Sequence, residues 1–123
     1  MMSLQEDKIT APIFFKEYIN GFFKLNIGEY NYPLILSANK MIEYDEKITS
    51  INDIKKSHLK LILKANPEIV ILGTGNKQVI PSIEIINELA KSGKSVDFMA
   101  SDIACKTYNL LVNENRNVSC III

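Results

Sequence analysis

Gly73-Thr74-Gly75-Asn76-Lys77-Gln78 follows directly on Ile69-Val70-Ile71-Leu72, and the loop after a buried strand is where open α/β sheets bind ligands. Two glycines permit positive φ and let amides converge, either on an anion or on another segment of the chain. The stretch matches neither common phosphate motif. A dinucleotide fingerprint needs glycine where Gln78 stands, and the NTPase loop needs a Gly-Lys-Ser/Thr that does not follow. Two readings stay open, a structural turn and an anion or ligand site. Cys105 falls near the start of a predicted helix, whose dipole could lower a thiol pKa. A nucleophilic cysteine also needs a base. His58, the single histidine, lies on a different predicted helix among Lys55, Lys56 and Lys60 and reads as a solvated surface residue. Two cysteines fifteen residues apart and one histidine make no zinc site, so no metal or other cofactor is expected. Glu84 and Glu88 share a helix face at i,i+4, a spacing common on solvated helices.

The elements that must position these residues change character along the chain. Residues 18 to 25 alternate with a two-residue period, putting Ile19, Gly21, Phe23 and Leu25 on one side. A turn is predicted at Asn26-Ile27-Gly28-Glu29. A second run over 30 to 37 places Tyr32, Leu34 and Leu36 together, with Pro33 marking an edge or bulge. Ala38-Asn39-Lys40 then turns into a short strand over 41 to 44. This reads as an antiparallel meander. Beyond it, strand-like and helix-like stretches alternate as in βαβ units. Ser57 caps a predicted helix over 58 to 65 with Leu59, Ile62 and Leu63 inward, and Asn66-Pro67 ends it. Residues 69 to 72 form a strand covered on both faces. Pro81-Ser82 opens a helix with Ile83, Ile86, Leu89 and Ala90 on one side, closed by Gly93. A strand over 95 to 99 follows. Ser101 or Asp102 then caps a helix to about Val112, with Ile103, Ala104, Thr107, Leu110 and Leu111 inward, and a last strand occupies 118 to 123.

Composition narrows the classes. The chain has 123 residues, 47% hydrophobic and 23% charged, with only five glycines and four prolines, so it is a globular domain rather than a disordered or fibrous one. Its 14 basic and 14 acidic residues are balanced in each half, and Arg116 is the only arginine. Arginine forks are what read phosphates and guanines, so no nucleic-acid partner is expected. The start lacks a basic segment followed by an apolar core, and no apolar run approaches the roughly 20 residues needed to span a bilayer. A cytoplasmic protein with free thiols is expected. The 20 isoleucines, 13 lysines and 12 asparagines suit an A+T-rich bacterial coding sequence.

Three motifs in order carry a family resemblance: Ile71-Leu72-Gly73-Thr74-Gly75, Pro81-Ser82, and Ala104-Cys105-Lys106-Thr107-Tyr108-Asn109-Leu110-Leu111. The chain resembles the domain-of-unknown-function family that includes complex I assembly factor 3 and its prokaryotic relatives. That family has a strand ending in Leu-Gly-Thr-Gly, a proline before the next helix, and an Ala-Cys/Ala-Arg-Thr-Tyr/Phe-Asn-Leu-Leu helix. The resemblance spans about residues 18 to 123, leaving 1 to 17 as an N-terminal extension. Lys106 replaces the usual arginine, and Tyr44-Asp45 stands where relatives have Trp-Asp. The resemblance implies a three-layer α/β domain: a mixed central sheet with a βαβαβ C-terminal half, beside an antiparallel N-terminal β layer. It implies no catalytic activity, but a binding or assembly role with respiratory-complex subunits or another assembly factor as partner. Membrane association would then run through partners. The candidate contact residues are Gly73, Thr74, Gly75, Cys105 and Thr107. The alternative is an anion- or ligand-binding protein, or an enzyme, with its pocket beside them. Phe14, Phe15, Phe22 and Phe23 are candidates for an aromatic partner surface, with at least half of them expected in the core.

Overall fold

Alternation of apolar residues on the central strands divides the core in two. In Ile69–Gly73 and Val118–Ile122, one set of side chains (Ile71, Val118, Cys120, Ile122) enters a cluster with Phe15, Phe23, Leu25 and Tyr108. The opposite set (Val70, Leu72, Ile121) enters a second cluster with Leu59, Ile62, Ile85 and Leu89. Strands buried on both faces in this way require layers above and below them.

The computed structural model describes residues 12–19, 22–31, 33–37, 40–44 and 47–123. Strands β1 (Phe15–Ile19), β2 (Phe22–Leu25) and β3 (Gly28–Asn31) form an antiparallel sheet in that order. Strands β4 (Leu34–Ser37), β5 (Lys40–Met41), β6 (Ile69–Gly73), β7 (Ser95–Met99) and β8 (Val118–Ile122) form the central sheet in the order β5-β4-β8-β6-β7. In it β6 runs parallel to both β7 and β8, while β4 is antiparallel to β8 and β5. A short 3-10 helix (Ile51–Asp53), α1 (Lys56–Leu63) and α2 (Ile83–Lys91) contribute to the core of one face. Helix α3 (Ser101–Asn113) and the small sheet cover the other. The result is a three-layer α/β domain with a mixed central sheet, a βαβαβ C-terminal half and an antiparallel N-terminal layer.

Several local expectations are corrected. The single strand over 18 to 25 is two strands, β1 and β2, with Ile19 paired to Phe22. The run over 30 to 37 is also divided. Tyr30 stays in the small sheet, whereas Leu34–Ser37 joins the central sheet beside β8, because Leu34 to Leu36 bury side chains on both faces. Gly21, Tyr32, the Ala38-Asn39 turn, Asp45 and the first 11 residues lie outside the described residues.

Helix α1 begins at Lys56 with Lys55 as its cap residue, so Ser57 does not cap it. His58 supplies the cap: its Nδ1 accepts the Lys55 N–H at 2.9 Å. The side chain is 1% exposed and packs edge-on against Tyr44, so it is a core residue and not a solvated one. The buried stripes of the other two helices are also rotated from expectation. Helix α2 buries Ile85 and Leu89 while exposing Ile83 and Ala90. Helix α3 buries Ser101, Ala104, Cys105, Tyr108 and Val112, leaving Ile103 and Leu110 outward.

Candidate functional site

At the C-terminal end of β6 the backbone of residues 73 to 79 folds onto its own hydrogen bonds. Thr74 N donates to Met99 O at 2.8 Å, and Gly75 N donates to Ser101 Oγ at 2.8 Å. Thr74 Oγ1 donates to Lys77 O at 2.6 Å and accepts from Val79 N at 3.0 Å. Ser101 N in turn donates to Gly75 O. The amides of 74, 75 and 79 are therefore committed within the protein, as in a structural turn. Gly75 has φ +103°, a left-handed conformation that favours glycine.

Gly73 serves packing. A Cβ there would lie 2.8 Å from Ile122 Cγ2, 3.1 Å from Ser101 Oγ and 3.2 Å from Ala104 Cβ. Helix α3 can approach the strand this closely only above a glycine. Ile123 completes the junction. Its N–H donates to Gly73 O at 3.0 Å, and its O accepts from Ser101 Oγ at 2.7 Å and Tyr18 OH at 3.1 Å. The crevice at the strand ends is thus closed by main chain from β8 and a hydroxyl from β1.

The five predicted contact residues do not form one cluster. Gly73, Thr74 and Gly75 meet the start of α3 through Ser101 and Ala104. Cys105 faces the small sheet instead, at a cleft of about 320 Å³ lined also by Phe15, Tyr18, Asp102, Lys106 and Asn109. A second cleft, of about 270 Å³, joins Tyr18, Ile19, Asn76 and Asp102. Thr107 is half-buried and lines neither of these. Burial pushes the Cys105 thiol up to about 12, helped by the nearby Asp102 carboxylate, the reverse of what a nucleophile requires. Burial likewise raises Cys120 and Tyr108. Both cysteines are free and buried. Phe15 and Phe23 are in the core, Phe14 is half-buried, and Phe22 is exposed at 39%. Among the described residues no group of three or more His, Cys, Asp or Glu is placed to hold a metal ion.

Ser101, expected as a cap, lies inside α3 with Ala100 as the cap residue, and Asn109 is the residue that sequence reasoning passed over. The Asn109 side chain accepts from Phe15 N at 2.8 Å and donates to Phe15 O at 2.7 Å, pairing with the edge of β1 as a neighbouring strand would. Its place in the Tyr108-Asn109-Leu110-Leu111 motif was the available signal.

Comparison with known proteins agrees with this architecture. The chain is 72% identical, over the full length of both, to the "13 kDa major membrane protein" of Francisella tularensis subsp. holarctica (strain LVS). It is 24% identical over 117 residues to the rat "NADH dehydrogenase [ubiquinone] 1 alpha subcomplex assembly factor 3", covering 94% of this chain and 62% of that protein. A crystal structure of a Bordetella parapertussis protein superposes with a TM-score of 0.79 at 26% identity, over 93% of this chain and 97% of the other. A family model described as "Protein of unknown function (DUF498/DUF598)" matches residues 15–123. The chain, matched from its first strand to its last residue, belongs to the DUF498/DUF598 family.

Proposed function

We propose that the protein is a non-enzymatic binding module that assists assembly of a respiratory or other membrane-associated complex. The observation that carries this reading is its similarity over 94% of its length to an assembly factor of NADH dehydrogenase. The chain spans 62% of that relative, so the part they share is the three-layer domain itself. The chemistry of the candidate site supports binding over catalysis: the loop amides of Thr74 and Gly75 are spent internally, and the Cys105 thiol is held protonated. The exposed surface of the same end, including Asn76 and Ile103, is what a protein partner would meet. Among the described residues no helix is long and apolar enough to cross a membrane, and the 72% identical relative is named a membrane protein. Attachment through a membrane-embedded partner reconciles the two.

The alternative, a pocket for a small anion near Gly75 and Cys105, draws on the clefts beside Asp102. Affinity capture of the tagged full chain from its own organism separates the readings. Recovery of NADH dehydrogenase subunits, or of another assembly factor, in stoichiometric amount is the expected result. Recovery of the protein alone with a tightly bound metabolite would overturn it.

A further inference from the structure

We infer that the outer edge of β7 together with the adjoining flank of α2 is a homodimer interface, with a second copy of this chain as occupant. Strand β7 ends the central sheet, and among the described strands none pairs with its outer side. The Met99 carbonyl turns inward to Thr74 N, so alternation turns the backbone groups of Val96 and Phe98 outward. The Phe98 carbonyl is already covered by Gln78 Nε2 at 3.2 Å, leaving the main chain of Val96, whose side chain is half-buried, as the centre of the edge.

Helix α2 carries more apolar surface than one core face needs. Ile85 and Leu89 point into the core, and Glu84 and Glu88 share a groove with Lys55 and Lys56 of the α1 side, where Lys56 pairs with Glu88 at 3.6 Å. Ile86, Ala90 and Ile83 lie roughly 100° to 160° round from Ile85, on the flank opposite α1. That flank bears no charge, Ile83 on it is 66% exposed, and Ile80 in the segment leading into the helix is 71% exposed. An uncharged apolar flank beside a free strand edge is a surface that a second cover can bury.

A two-fold axis through Val96 satisfies both features. Val96 would exchange two N–H···O bonds with its counterpart, and Ser95 would stand opposite Asp97 of the second copy, so no like charges meet. A crossover helix between neighbouring strands sits above the pair, and strands repeat at about 4.8 Å. The same axis therefore sets the two α2 helices antiparallel and about 10 Å apart, the distance at which helices pack. Ile83 of one copy then falls against Ala90 of the other, large into small. An isologous contact of this kind joins the two five-stranded sheets into one of ten strands.

Sedimentation velocity on the full chain, with amide hydrogen exchange on the same samples, tests this. At about 100 µM the expected species has twice the 13.9 kDa chain mass, with the Val96 amide protected. Ile83→Lys should halve the mass and release that protection while leaving the far-ultraviolet circular dichroism unchanged, since Ile83 lies outside the core. Leu110→Lys, on the exposed side of α3, should alter neither. A wild-type monomer at this concentration would overturn the inference, and so would a dimer that survives Ile83→Lys with the Val96 amide exchanging freely.

Discussion

A methyl group at Gly73 would come within 3.2 Å of three neighbours, and two of them, Ile122 and Ala104, belong to elements fixed by the core on either side of it. Gly73→Ala should therefore force α3 away from β6 and destabilise the fold by about 1–3 kcal/mol, the usual cost of overpacking, read as a shift in the urea midpoint at unchanged slope. Cys105 gives a prediction of a different kind. Its thiol titrates near 9.0 when unperturbed and at about 12 in the fold. Between those values the unfolded chain releases a proton that the folded chain keeps. The thiol thus contributes its full stability below pH 9, and that contribution is lost as pH rises through the folded value, by about 1.4 kcal/mol per pH unit. Cys105→Ala should flatten the fall in stability between pH 9 and pH 11, measured by urea denaturation at several pH values. An unchanged slope would mean that the thiol is not buried as described.

Between elements, Asn109 is the link to test. Its amide joins α3 to the main chain of Phe15, and it is the clamp that holds the small sheet's first strand. Asn109→Leu keeps the volume but leaves a half-buried N–H and C=O without these partners, for a cost of about 2 kcal/mol. The Phe15 amide should then exchange faster than amides of β6, which the substitution does not touch. At this scale the C-terminal half was legible in the sequence, because a strand covered on both faces and a period of 3.6 are local signals. The phases of α2 and α3 were not. Both helices carry apolar residues on their solvent side as well, so Ile83, Ile103 and Leu110 looked as inward as Ile85 and Tyr108. The division into β1 and β2 falls within a run that alternates cleanly, so the two-residue period does not mark it. The capture of β4 by β8 had no local signal either, because it rests on a pairing of residues more than eighty positions apart. The location of the Gly73–Gly75 loop was legible from the strand before it. Its hydrogen-bond partners Met99, Ser101 and Ile123 lie far along the chain from it, and only the fold brings them there.

Taken whole, the molecule is a three-layer domain of the DUF498/DUF598 family, similar in sequence over 94% of its length to an NADH dehydrogenase assembly factor, with its thiols buried and the amides of Thr74 and Gly75 paired within it. A binding role then resides in exposed surface rather than in a reactive group, so its loss should be felt in the amount of an assembled complex and not in the turnover of a metabolite. The direct measurement is native electrophoresis of membranes from cells in which the chain's gene is deleted, with NADH:quinone oxidoreductase detected in the gel. The account predicts that assembled oxidoreductase falls and smaller subcomplexes accumulate while subunit synthesis continues, with recovery when the full chain is supplied again. Full-size oxidoreductase at wild-type level in the deleted cells, with no other membrane complex diminished, would contradict it.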